Sequence, residues 1–196
     1  MKNLIVGIIF LFLGLSLAVV LRKPETKPNL SGIKPTAFSI ENAPINSLRG
    51  YVATLSGRVN WLSRVATEPA LLNTNILQQG DTLITSDSAR LKISFKDTNI
   101  SLEPKTEVEI IQTLPDQLVF NQKSGEATYS GELSVRSLRL LSKISGTVSI
   151  KIKNDLIYLN IVEGKAIAAF NDINFNSKVV EVKKYIIFDN SLRALK

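Results

Sequence analysis

The side chains that could do acid–base chemistry are few. The chain of 196 residues contains no His and no Cys. Imidazole bases, thiol nucleophiles, disulfides and the common zinc ligand sets are therefore absent together. What remains is carboxylate: Glu103, Glu107 and Glu109, with Asp81 upstream. Residues two apart on a strand share a face. Glu103, Lys105, Glu107 and Glu109 are thus expected on one face, opposite Val108 and Ile110. Glycan hydrolysis needs two carboxylates at a set separation, and nothing in the sequence fixes such a pair. The spacing matches no calcium loop either, and Lys105 interrupts the acidic series. A solvated strand face is the expected state. We assign no catalytic, cofactor-binding or metal-binding residue and expect no enzymatic activity, cofactor or small-molecule substrate.

The elements around these acids read as strands. Leu77–Ile110 contains a Gly80-Asp81 corner, where glycine permits a turn closed to other residues and the aspartate can bond the backbone. Ala89, Leu91, Ile93 and Phe95 then alternate with Arg90, Lys92, Ser94 and Lys96, the period of a strand with one buried face. Asp97-Thr98 is read as the reversal, after which Ile100 and Leu102 resume the alternation. Upstream, Tyr51–Leu62 is rich in β-formers, with a bend expected at Gly57 and the sole Trp, Trp61, expected as a core or sheet-face anchor. Residues 63–76 read as a loop with at most one helical turn.

Downstream, residues 117–135 suggest two short strands around Gly125 and Gly131. The stretch Ser134–Ser145 admits two readings. Leu138, Leu141 and Ile144 could mark one face of a short helix with Arg136, Arg139 and Lys143 beside it, a basic amphipathic piece suited to anionic lipid. Strand and turn fit the same residues. Thr147–Lys153 alternates again, Asn154-Asp155 and Glu163-Gly164 are read as turns, and Val179–Val182 and Tyr185–Phe188 close the series. Strands of this length at this spacing, with no long helical pattern between them, predict an all-β sandwich, roll or solenoid.

The N-terminus differs in kind. Leu4–Leu21 is 18 uncharged residues, about 27 Å as a helix against a hydrocarbon core of ~30 Å. It is expected to be a transmembrane signal-anchor behind a short tip, residues 1–3, and so to contact the lipid bilayer. Cleavage after Ala18 is the competing reading. Residues 22–48 hold four of the seven prolines and read as an extended spacer. The folded domain is expected over residues 49–190, with a tail at 191–196.

The formal charge is +7, which invites a nucleic-acid reading. Residues 1–44 carry five basic and two acidic side chains, so +3 of the excess flanks the apolar run, where cations serve membrane topology. The other +4 is spread over 152 residues, and no nucleic-acid partner is expected.

Gly57-Arg58-Val59, Leu77–Thr85 with its Gly-Asp corner, Ala89–Phe95, Ile100–Leu102 and Thr106–Ile110 together resemble a FecR-like domain. Gly146-Thr147-Val148, Val162–Ala166 and Tyr185–Phe188 are similar to that family's later half, so the resemblance spans roughly residues 50–190. It implies an all-β domain outside the cytoplasm, tethered by one helix. Family members also carry a cytoplasmic segment that holds a sigma factor. Only Met1-Lys2-Asn3 precede the apolar run, so that role is not expected here.

The combined expectation is a single-pass membrane protein whose β-domain is an extracytoplasmic binding, sensing or scaffold module for an envelope protein or polymer. A cytoplasm-facing basic module at anionic lipid or nucleic acid is the alternative, suggested by Arg22, Lys23 and the positive-inside count. An envelope glycan hydrolase using the carboxylates is a third.

Overall fold

Along Arg90–Phe95 every second side chain is shut from solvent, as the period-two pattern requires: Leu91, Ile93 and Phe95 are buried while Arg90 and Lys92 are exposed. The same alternation organises the whole β-domain. The computed structural model describes residues 46–196; the tip, the Leu4–Leu21 run and nearly all of the Pro-rich spacer lie outside them. Among the described residues no helix is long and apolar enough to cross a membrane.

Fourteen strands form one antiparallel sheet. They are β1 (Gly50–Ser56), β2 (Val59–Leu62), β3 (Ala70–Leu71), β4 (Ile76–Leu77), β5 (Thr82–Thr85), β6 (Arg90–Phe95) and β7 (Thr98–Leu102). Then come β8 (Glu107–Leu114), β9 (Gln117–Ser137), β10 (Leu140–Lys153), β11 (Leu156–Asn171), β12 (Ser177–Val182), β13 (Tyr185–Asp189) and β14 (Ala194–Leu195). The loop expected at 63–76 contains two short strands rather than a helical turn. The reversal after β6 falls one residue earlier than expected: Phe95 pairs with Thr98, and Lys96-Asp97 is the turn, with Lys96 at φ 48°.

The larger correction concerns 117–137. The two expected short strands are one strand of 21 residues. Its first part pairs with β8, up to Ser124, and its later part pairs with β7, from Ala127. Gly125 sits between them at φ 79°, and a Cβ there would meet Thr106 Oγ1 at 2.4 Å. The strand bends at Gly125 without ending. The bend lays β8–β5–β2 against β7–β6–β1, and Phe120 meets Phe95 edge-on at 5.6 Å and Tyr129 at 6.2 Å. Buried Gln122 holds this corner: its Nε2 donates to the carbonyls of Gly125 and Ile150, both at 3.0 Å, and its Oε1 accepts from Tyr129 Oη at 3.2 Å.

A second bend crosses three strands. Gly131 on β9 pairs with Gly146 on β10, which pairs with Gly164 on β11. All three have left-handed φ, at 128°, 134° and 81°. A Cβ on Gly146 would lie 2.3 Å from the Glu163 carbonyl oxygen, so only glycine fits. Glu163-Gly164 is therefore not the expected turn; β11 runs through it. Sixteen extended residues span about 50 Å, yet Phe170 near the end of β11 packs at 4.9 Å on Phe188, which pairs with Ile157 near its start. The ribbon folds back on itself along the glycine row. One continuous apolar cluster runs through both folded halves, from Val59 to Phe188.

Candidate functional site

Glu103, Glu107, Glu109 and Asp81 are the candidate acid–base carboxylates. They do not form one face. Pro104-Lys105 is a turn, with Lys105 at φ 59°, so Glu103 falls outside the alternation of β8. Arg90 Nε donates to Glu103 Oε2 at 2.8 Å. Lys123 Nζ lies 3.1 Å from Glu107 Oε1 and 3.4 Å from Glu109 Oε2. Burial works against the Lys123 charge, but hydrogen bonding and attraction from Glu107, then Glu109, hold its pKa above the ordinary lysine value. Lys105 Nζ turns to Asp87 at 3.3 Å. Val108 and Ile110 are buried opposite, as expected. Among the described residues no group of carboxylates is placed to hold a metal ion.

Asp81 is a structural aspartate. Its Oδ2 accepts the Gln78 N–H at 2.9 Å, which closes the Gly80 corner (φ 93°) in the way its sequence suggested. Burial pushes the carboxyl above the ordinary range, and the Gln78 N–H pulls it part of the way back. Trp61 packs against the core edge beside it.

The groups that do converge are cationic. At Ser134–Ser145 the helix reading gives way to strand and turn: β9 ends at Ser137, Leu138 takes φ 54°, and β10 starts at Leu140. Local apolar spacing cannot separate the two readings. The register decides, because Leu140–Ile152 pairs residue by residue with Gly125–Ser137. Arg136 and Arg139 therefore flank a hairpin tip. The fold along the glycine row brings that tip to the far end of β11 and to the β13–β14 turn. Together they enclose a cavity of about 410 Å³, lined by Arg136, Arg139 and Arg193 with Leu141, Asn171 and Phe175.

Arg193 stacks over the Phe175 ring, 4.5 Å from its centroid. Arg136 Nε donates to the Leu138 carbonyl at 3.3 Å. None of the three guanidiniums pairs with a carboxylate of the described residues. The two acids on the turns beside Phe175 and Arg193 are occupied. Asp172 Oδ1 accepts the N–H groups of Asn174 and Asn176, both at 2.9 Å, and Oδ2 faces Lys178 at 3.9 Å. Asp189 accepts from Lys196 Nζ at 2.8 Å and from Ser191 Oγ at 2.7 Å. Hydrogen bonds, first from the Asn176 N–H and first from Lys196 respectively, hold both carboxyls below the ordinary aspartate value.

Charge follows the same division. Residues 46–131 carry eight basic and nine acidic side chains, a net −1, whereas residues 132–196 carry eleven and six, a net +5. The excess lies entirely in the second folded half. A larger groove of about 740 Å³ between the β8–β9 tip and β10–β11 mixes Asp116 and Glu132 with Lys143 and Lys165, and it shows no such convergence.

No family model matches the chain, and no curated protein matches its sequence. Among solved structures it is similar to a candidate anti-sigma factor from Parabacteroides distasonis, at 15% identity and a TM-score of 0.49. That likeness covers 59% of this chain and 57% of the other.

Arg136 and Arg139 are visible in the sequence within the ambiguous stretch Ser134–Ser145. Arg193 and Phe175 were not singled out, because only the fold-back makes them neighbours of Arg136. The local signal for Phe175 is a pair of apolar side chains, Ile173 and Phe175, alternating with Asn and Asp in the turn 171–176.

Proposed function

We propose that the chain is a membrane-tethered, extracytoplasmic binding or scaffold module of the cell envelope that does no chemistry of its own. One observation carries the reading: the convergent groups of the β-domain are three arginines around an open cavity. Guanidinium is a rigid multiple donor that keeps its proton in proteins, suited to holding an oxyanion and unsuited to moving a proton. Of the candidate carboxylates, Glu103, Glu107 and Glu109 are each held by a cation, and Asp81 is bonded to the Gln78 N–H at its corner. In this reading Leu4–Leu21 supplies the tether, residues 22–48 the spacer, and the FecR-like order of parts the side of the membrane. The envelope partner is anionic where it meets the arginines.

The net +5 of residues 132–196 favours a second reading, a cytoplasm-facing basic module. Topology separates the two. A reporter fused after Lys196 that is active only outside the cytoplasm supports the first reading, and one active only inside overturns it. Capture of the full chain with envelope partners, lost in an Arg136→Gln, Arg139→Gln, Arg193→Gln variant, supports the binding role. Unchanged capture removes the arginines from it.

A further inference from the structure

We propose that the basic end of the second folded half docks on an anionic bilayer surface, with the arginines taking lipid phosphate and the neighbouring turns entering the interface. The assignment rests on the reading of this cavity as an anion-binding site and names the partner. Three observations converge on it.

First, the cavity is cationic and its arginines lack carboxylate partners among the described residues, so an incoming phosphate displaces no ion pair there. Arg also offers planar, paired donors that match phosphate oxygens.

Second, the turns that carry Phe175 and Arg193 expose apolar side chains that a soluble anion does not need. Ile173 and Phe175 on the β11–β12 turn are 67% and 71% exposed, and Leu192 on the β13–β14 turn is 56% exposed. The Arg193–Phe175 stack joins these two turns at one place. Apolar side chains beside Lys/Arg are the composition of peripheral membrane contacts. A nucleic acid would stack on Phe175 but gives Ile173 and Leu192 no partner.

Third, Phe175 holds φ 63°. That conformation is unfavourable for a bulky residue and ordinary for Asn or Gly. The turn is already fixed by the Asp172 carboxylate, so an exposed ring at this position does not serve the turn.

The test uses the full chain, whose lack of Cys allows a single Ile173→Cys label carrying an environment-sensitive dye. It is reconstituted into vesicles of phosphatidylcholine, with or without phosphatidylglycerol. The Leu4–Leu21 run should enter both, so only the headgroup-dependent signal counts. The expected result is a dye quenched by acyl-chain quenchers in the anionic vesicles alone. A Val65→Cys label in the first folded half stays unquenched. About 1 M salt, where screening acts over about 3 Å, abolishes the signal. The Arg136→Gln, Arg139→Gln, Arg193→Gln variant weakens docking roughly a hundredfold, the compounded effect of three cations at an anionic surface. Phe175→Ser weakens it with charge unchanged, and far-UV circular dichroism verifies that each variant is folded.

Equal quenching in both vesicles, or none in either, overturns the lipid assignment. Poly-glutamate and inorganic phosphate separate that failure from failure of the binding reading. Arginine-dependent binding of poly-glutamate without lipid docking points to an acidic protein partner and keeps the anion site. Binding of phosphate alone reduces the site to a free-anion pocket. Binding of none of these overturns both.

Discussion

Asp189 ties the last turn of the chain to the sheet, and its chemistry makes the turn pH-sensitive. Its carboxylate accepts from Lys196, from the Ser191 hydroxyl and from the Leu192 N–H at 3.2 Å. These bonds, led by Lys196, set its folded pKa below the ordinary 3.8. For a carboxyl whose pKa is depressed by folding, the stabilisation is fully present above the unfolded value and is lost as pH falls through the folded one. The wild type should therefore lose stability below about pH 4. Asp189→Asn should be less stable at pH 7, with a flatter acid limb, as measured by denaturant unfolding across that range. An acid limb of unchanged slope would remove Asp189 from it. Phe175 gives the converse case. Phe175→Asn relieves a left-handed φ costing about 1–2 kcal/mol and gives up an exposed cation–π contact of ~0.5–1 kcal/mol. Its midpoint should stay level with the wild type or rise slightly. A drop of several degrees would make the ring a structural requirement after all.

At the scale of the elements, glycine decides how long strands fold. In Gly146→Ala the new methyl would stand 2.3 Å from the Glu163 carbonyl oxygen at φ 134°. Strain of this kind costs about 1–3 kcal/mol before the clash is counted, so roughly 2–4 kcal/mol is expected from thermal or denaturant unfolding. A neutral result would mean that the row is not needed for the fold-back. Gly125→Ala should behave alike, since its methyl meets Thr106 and the Lys105 carbonyl. The sequence made the alternating strands legible because burial of one face leaves a local period: Ala89, Leu91, Ile93 and Phe95 are all buried. It also pointed correctly to the Gly80-Asp81 corner, whose hydrogen bond spans three residues. It misled at Gly125, Gly131 and Gly164, because a glycine that ends a strand and one that bends it look the same locally. What distinguishes them is register. Gly131, Gly146 and Gly164 are 15 and 18 residues apart and align only once the strands pair. The cavity was half legible for the same reason: Arg136 and Arg139 are neighbours in sequence, and Arg193 joins them only through the fold-back.

For the whole β-domain the question is whether the two folded halves melt as one. Their charges differ, −1 for residues 46–131 against +5 for residues 132–196, and each bends at its own glycines. Two features couple them. Strand β9 belongs to both, pairing with β8 and β7 on one edge and with β10 on the other. Gln122, in the first half, donates to the Ile150 carbonyl in the second and accepts from Tyr129 within the core they share. A buried polar knot of this kind loses its satisfaction if either half opens alone, at a cost of about 1–3 kcal/mol per stranded group. Cooperative unfolding follows. Trp61, the sole Trp, sits on β2 in the first half, so it reports on damage done in the second. Gly146→Ala should shift the Trp61 fluorescence transition by as much as the far-UV circular dichroism transition, with both remaining single steps. Gln122→Leu should pull the two probes apart, because it removes the side-chain bond to Ile150 that crosses between the halves and leaves only the β9–β10 ladder. If the Trp61 transition stays in place when the glycine row is broken, the halves are independent folding units, and β9 is only a linker between them.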